Sequence, residues 1–325
     1  QTLMNKNIYK KIYELQKKIR FVEEKISINY KNYLMRCPTH LSIGQEAIAA
    51  ASGLALNKKD IAISYHRSHA HYLAKGGSAK KLFAELHGFK EGCSKGVGGS
   101  MHLTDLKNNF YGSTAIVSNS IPVGVGLAYS LKINNQKNLV CIYVGDASLE
   151  EGVFYESMNF CVVKKLPVVF ICENNFYSVY THLKDRQPRQ RKLYKLASAI
   201  GVKSNKFSQQ NPYKLFLNLK KIFDKVRKDP QPYFVEVETY RYLEHCGPND
   251  DTRLGYRSEK EVEKWKKKDP LKFTENYLIK KNIFKKDRLK SIEKAIIKKT
   301  NIDFNSIKNL KKPHFNNIKN LVYKK

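Results

Sequence analysis

The sequence predicts an α/β fold: a doubly wound, mostly parallel sheet flanked by helices, with helical extensions at both ends. Two short apolar runs and the stretch between them carry that reading. Val140-Cys141-Ile142-Tyr143-Val144 ends in Gly145-Asp146-Ala147, and one crossover later a second apolar run delivers Glu173-Asn174-Asn175-Phe176-Tyr177. Both runs are rich in β-branched residues and too short for a helix, so each reads as a buried strand of a parallel sheet. Parallel neighbours need a crossover connection, and residues 150–164 supply it as a helix.

The remaining elements are placed in chain order. Ile8, Ile12, Leu15, Ile19 and Val22 recur at helical spacing, which predicts an amphipathic helix over residues 5–25. Strands are expected at 61–65 and 233–239. The run Gly124-Val125-Gly126-Leu127-Ala128-Tyr129 lacks the third glycine of a dinucleotide loop and follows a poor strand, so that reading is rejected. Gly124 and Ala128, one helical turn apart, instead offer a small face for close helix packing. Residues 184–195 read as an ordered basic surface loop near the site entrance. Past Arg257 a helical apolar pattern continues through Ile279, Ile283, Leu289, Ile292 and Ile296. The chain has 325 residues, ample for a substantial core. One α/β domain over 36–257, with a helical extension over 1–35 and a basic helical extension over 258–325, fits best.

Net charge is +31, and the region after Arg257 holds 21 Lys or Arg against 8 Asp or Glu. Lys, Asn and Ile are abundant all along the chain, as translation of AT-rich coding sequence produces, and no aromatic-and-basic recognition motif stands out. Specific nucleic-acid binding is therefore not expected; attraction of an anionic substrate or acidic partner is. The cysteines at 37, 93, 141, 161, 172 and 246 show no metal-type pairing, and three lie in apolar runs, which fits a reducing, cytoplasmic setting. No apolar stretch is long enough to span a membrane, and the amino end lacks a signal-peptide core.

In an open α/β sheet ligands bind beyond the carboxyl ends of the strands, where Asp146 and Asn175 fall. A carboxylate, an amide oxygen and a backbone carbonyl are the hard donors that Mg²⁺ prefers. The turn from Gly145 to Ser148 leads into the crossover helix, whose unpaired amides can hold a phosphate group. Each feature alone has a plainer reading. An Asp after a strand can be a helix cap, and Asn-Asn is common turn chemistry. Isolated histidines are more often structural, the reading adopted for His69, His71, His87, His182 and His314. Arg67 alone would be a surface ion-pair former, and Gly96 to Gly99 a flexible loop.

The context changes those readings. Together with His40-Leu-Ser-Ile-Gly-Gln-Glu46, His66-Arg-Ser-His69, Lys95-Gly-Val-Gly-Gly-Ser-Met-His102, Asn109-Phe-Tyr-Gly112 and Thr239-Tyr-Arg-Tyr242, the chain resembles thiamine diphosphate enzymes. More narrowly it is similar to the alpha subunit of the decarboxylating component of 2-oxo acid dehydrogenases, the pyruvate, branched-chain 2-oxo acid and acetoin group. The resemblance covers 34–257 and implies a thiamine diphosphate-binding fold. It implies that Asp146, Asn175 and the Tyr177 carbonyl bind magnesium, that Gly145, Ala147 and Ser148 lie at the diphosphate, and that Arg67 contacts it. The backbone from Ala115 to Val117 would receive the aminopyrimidine ring. His245 matches a catalytic histidine, with His40 and His66 in the same pocket.

The resemblance also implies oxidative decarboxylation of a 2-oxo acid, pyruvate by default, with acyl transfer to an acceptor. A beta subunit would supply the pyrimidine-binding domain and its activating glutamate in an α2β2 heterotetramer, with a lipoyl acyltransferase as a further partner. Acetoin-type chemistry, or biosynthetic acyl or aldehyde transfer without a lipoyl carrier, stays open. A non-catalytic scaffold subunit is the alternative of another class. Two departures bear on these: Ala147 replaces the usual last glycine of Gly-Asp-Gly, costly only if the backbone there is left-handed; and Tyr242-Leu-Glu-His245 carries one histidine where many members have two.

Overall fold

The computed structural model describes residues 2–35 and 37–312; His314 and the end of the basic extension lie outside them. Helix α1 (Thr2–Tyr30) is longer than the predicted amphipathic helix at both ends. Its stripe of Ile12, Ile19, Val22 and Ile26 is fully buried. Helix α2 (Glu46–Ala55) is made almost wholly of small buried residues, so neighbouring helices approach it closely. There follow β1 (Ile61–Ser64), α3 (His69–Ala74), α4 (Ala79–Leu86), β2 (Phe110–Ser113), α5 (Ser120–Ile133) and β3 (Val140–Gly145). A short 3₁₀ turn (Asp146–Glu150) precedes α6 (Gly152–Val163) and β4 (Val168–Asn174). A small hairpin of β5 (Tyr177–Ser178) and β6 (Thr181–His182) leads to α7 (Leu183–Arg186) and α8 (Leu193–Ala199). The last elements among the described residues are β7 (Lys203–Ser208), α9 (Pro212–Lys228), β8 (Tyr233–Glu238), α10 (Glu259–Lys267), α11 (Pro270–Lys280) and α12 (Lys286–Asn305).

The main sheet has strand order β2-β1-β3-β4-β8-β7, and every neighbouring pair is parallel. One face is covered by a core drawn from α1, α2, α4 and α9. The other is covered by α5, α6 and α8 through Ile121, Val125, Phe154, Met158 and Leu193. This is the doubly wound arrangement that the sequence predicts. Every residue of β4 is buried, as a strand covered on both faces requires.

Three expectations need correction. The crossover helix starts at Gly152 rather than residue 150, because the 3₁₀ turn takes the preceding residues. The segment 184–195 is not one loop: it begins in α7 and ends in α8. The small face at Gly124 serves contact with the sheet. A Cβ there would stand 2.5 Å from Ile142 Cδ1, whereas a Cβ at Gly126 would meet nothing within 4 Å. Of the carboxyl-terminal apolar pattern, Leu289 and Ile292 join Leu271, Leu278 and Tyr13 of α1 in one cluster, and Ile279, Ile283 and Ile296 pack partly buried against it. Among the described residues, no helix is long and apolar enough to cross a membrane.

Candidate active site

Strands β1, β3 and β4 end at one edge of the sheet, with Gly145 paired to Glu173. From the segments leaving that edge, Tyr65, His66 and Arg67, Asp146, Ala147 and Ser148, and Asn175 and Tyr177 face one cavity of about 160 Å³. His40, ahead of α2, and His245, on the loop after β8, close it, and Ala115 and Val117 form another wall. All twelve residues named from the sequence line this cavity, joined by Tyr65, Met101, Ser178 and Val179, which sequence reasoning did not single out. A larger groove of about 940 Å³ between α1 and α12 contains none of them. Volume alone would favour that groove; convergent polar groups favour the smaller cavity.

On the diphosphate side, Asp146 and Asn175 are buried. Asn175 Oδ1 accepts the Tyr177 N–H at 3.1 Å, and its Nδ2 donates to Gln45 Oε1 at 3.1 Å. Phe176 between them has φ +70°, the left-handed kink that turns the chain back on itself. Burial pushes the Asp146 carboxyl up, and the Arg186 guanidinium against Oδ2 pulls it back. A buried carboxylate that has drawn in a guanidinium is a seat for positive charge. With an amide oxygen and a main-chain carbonyl beside it, the donor set suits a hard divalent cation. Arg186 carried no sequence signal, being one cation in a basic run. Ala147 lies in the 3₁₀ turn with negative φ, so its methyl is unstrained. Ser118 has φ +65° and donates from Oγ to Ser148 O at 2.9 Å, tying the Ala115–Val117 wall to this turn. Val179 is also left-handed, at φ +51°, a costly state for a β-branched residue, and Arg241 Nη2 holds its carbonyl at 2.7 Å.

At the mouth the rings of His40, His66 and His245 stand 4.6, 4.9 and 5.2 Å apart, centre to centre. Burial, then the charge of Arg67, pushes His40 and His66 far below the usual histidine range. Burial, followed by Arg67 and Arg241, pushes His245 down to about 3. All three are neutral near pH 7, each offering one N–H and one lone pair. Their ring nitrogens lie within 4.8 Å of one another, close enough to consider a metal. The adjacent guanidinium opposes a cation there and favours substrate oxygens. Arg67 is fully buried: Nη1 donates to Leu41 O at 2.7 Å and Nη2 to His245 O at 3.2 Å, while Nε has no partner. It therefore joins the His40 segment to the His245 loop. Arg241 and Arg257 fix that loop through Asp251.

The four described histidines among those read as structural, His69, His71, His87 and His182, have partners within the fold. His69 meets Ser100 Oγ at 2.8 Å, His71 stacks on Tyr143 at 3.7 Å, and His87 Nδ1 bonds Phe83 O at 2.7 Å. His182 Nδ1 accepts from the Lys184 N–H at the start of α7.

Comparison with known proteins adds an independent finding. The profile of the dehydrogenase E1 component family matches residues 14–316. The pyruvate dehydrogenase E1 component subunit alpha of Rickettsia bellii (strain RML369-C) is 38% identical over 243 residues, 75% of this chain and 73% of the relative. The protein of that name from Rhizobium meliloti (strain 1021) is 34% identical over 254 residues, 78% of this chain and 72% of the relative. The mitochondrial counterpart of Dictyostelium discoideum is 33% identical over 261 residues, 80% and 67%. The chain belongs to the dehydrogenase E1 component family, as a thiamine diphosphate-dependent 2-oxo acid dehydrogenase subunit of the alpha type.

Proposed function

We propose that this chain, with a beta subunit and Mg²⁺, oxidatively decarboxylates pyruvate and passes the acyl group to a lipoyl acyltransferase. The observation that carries the reading is the convergence of Asp146, Asn175 and Tyr177 with His40, His66 and His245 in one cavity at the carboxyl edge of the sheet. The name these relatives carry supports pyruvate over the other 2-oxo acids. When bound, thiamine diphosphate supplies the nucleophilic carbon and the electron sink that decarboxylation needs.

The chain's own residues bind and orient. Asp146, the Asn175 amide oxygen and the Tyr177 carbonyl would hold the metal, with Arg186 on the outer carboxylate oxygen fixing the rotamer. Ala147 and Ser148 would hold the diphosphate, and Arg67 adds a buried positive charge. The neutral His245 suits hydrogen-bond donation to the substrate's carbonyl oxygen, with His40 and His66 orienting its carboxylate.

Asp146 is the one carboxylate among the described residues lining the cavity, which supports an activating glutamate supplied by another chain. Ile116 and Val117 on that wall and Val123, Tyr129 and Ile133 on the following α5 are exposed apolar residues, which supports a beta subunit seated there in an α2β2 heterotetramer. The cysteines carry no disulfide among the described residues, which supports a reducing compartment such as the cytoplasm.

The test is decarboxylation of a panel of 2-oxo acids, with an artificial electron acceptor, by the chain co-expressed with its beta subunit. Pyruvate turnover that needs both chains is expected. Asp146→Ala should remove both the turnover and the magnesium-dependent affinity for thiamine diphosphate. Unchanged cofactor affinity in that variant would assign the chain a scaffold role instead, and turnover of acetoin alone would move the substrate.

A further inference from the structure

The glycine-rich loop between α4 and β2 is organised around a carboxylate. Glu85, on α4 and 1% exposed, accepts four main-chain N–H groups: Ser94 at 2.7 Å and Gly96 at 2.9 Å on Oε2, Gly98 at 2.7 Å and Gly99 at 3.2 Å on Oε1. Successive amides turned toward one anion make a nest, the backbone device that elsewhere holds phosphate or carboxylate ligands. Here the ligand is built into the chain. Gly96 at φ +80° and Gly99 at φ +58° provide the left-handed turns, and a Cβ at Gly98 would stand 2.0 Å from His102 O.

What the nest holds is the approach to the cavity. Ser100 and Met101 follow Gly99 directly, and Met101 lines the cofactor cavity. Ser100 Oγ meets His69 Nε2 at 2.8 Å and accepts the N–H of His40 at 3.4 Å. Ser113 Oγ donates to Met101 O at 2.8 Å and accepts the Leu103 N–H at 2.9 Å. These contacts pin the loop's far end; Glu85 gathers its near half, where Ser94 Oγ also donates to His102 O at 2.7 Å and accepts the Thr104 N–H at 3.0 Å.

We propose that Glu85 is a positioning residue for the cofactor cavity, an internal anion whose four amide contacts set the place of Ser100 and Met101. The inference rests on the cofactor reading of that cavity. It has a chemical consequence that plain structural support lacks: with the side chain removed, the nest becomes a vacant seat for a small carboxylate. A groove of about 370 Å³ touching Glu85, Gly96 and Gly99 gives a solute access to it.

The experiment uses the complex of this chain with its beta subunit, comparing parent with Glu85→Ala in chloride and in formate. Amide hydrogen exchange over 94–101 should rise in Glu85→Ala and fall again with formate, with no rise elsewhere. Thiamine diphosphate affinity, read by calorimetric titration, should weaken about tenfold in Glu85→Ala and recover in formate, in keeping with the cost of a displaced positioning group. Glu85→Gln, which keeps one acceptor oxygen, should fall between and provides the measurement if Glu85→Ala does not assemble. Parent-like cofactor affinity in Glu85→Ala, or no recovery in formate, overturns the proposal. A parent complex that binds no thiamine diphosphate would instead overturn the cofactor reading, and the exchange measurement would still decide whether Glu85 holds the loop.

Discussion

Three histidines beside a guanidinium, His40 buried and His66 and His245 partly buried, couple the stability of this protein to pH. In the unfolded chain His40, His66 and His245 titrate near 6.5. In the folded chain burial and Arg67 keep all three neutral well below that, His245 down to about 3. The unfolded state therefore binds more protons as the solution is acidified. The stability tied to these residues is complete above about pH 6.5 and is lost as pH falls toward the folded values, each histidine contributing up to about 1.4 kcal/mol per pH unit. The urea midpoint should drop between pH 7 and pH 5, and His245→Asn should make that drop shallower. An equal slope in parent and variant would mean that His245 takes up its proton equally in the folded and unfolded chains.

Among the elements, α5 has two unlike faces. Gly124 and Ala128 let one face lie on β1 and β3, and Val123, Tyr129 and Ile133 leave the other in solvent, where Tyr129 sits 5.7 Å from Phe160 of α6. Val123→Asp with Tyr129→Asp should leave the melting temperature of the isolated chain within about 2 °C, since exposed substitutions cost little, yet abolish co-purification with the beta subunit. Retained co-purification would place the partner on another face. The small-residue signal was legible in the sequence, but which side it packed against was not, because Gly124 and Gly126 differ only in what the sheet brings near them. The same reason governs the strands. β3 and β4 were plain because burial on both faces leaves a continuous apolar run. β2 and β7 sit at the sheet edges, and Lys203-Ser-Asn-Lys-Phe-Ser208 has no apolar pattern to read. In the site, residues inside motifs were found, whereas Arg186 and the Glu85 nest exist only as contacts between distant segments.

At the scale of the whole molecule, one side chain ties α1, α2 and α11 together. Arg20 of α1 reaches Glu46 of α2 with Nε and Nη2, and its Nη2 also meets Asp269, the cap of α11, at 3.0 Å. Glu46 in turn accepts the Gly44 N–H at 3.1 Å, within the segment that carries His40 and Gln45. Side-chain exposure is 14% for Arg20, 1% for Glu46 and 3% for Asp269, so the cluster is nearly dry. Removing the guanidinium leaves two carboxylates buried side by side, and uncompensated buried charge of that kind costs about 3–5 kcal/mol. Against a total stability of order 5–15 kcal/mol that is a large fraction. Arg20→Ala should therefore lower the urea midpoint strongly, and Arg20→Lys, which keeps the charge but not the fork, should recover only part of it. Because Glu46 holds Gly44, the loss should also reach the site: cofactor affinity in Arg20→Ala should weaken even at urea concentrations where the chain stays folded. A variant destabilised by that amount with parent-like cofactor affinity would show that the extensions clamp the domain without bearing on its cavity.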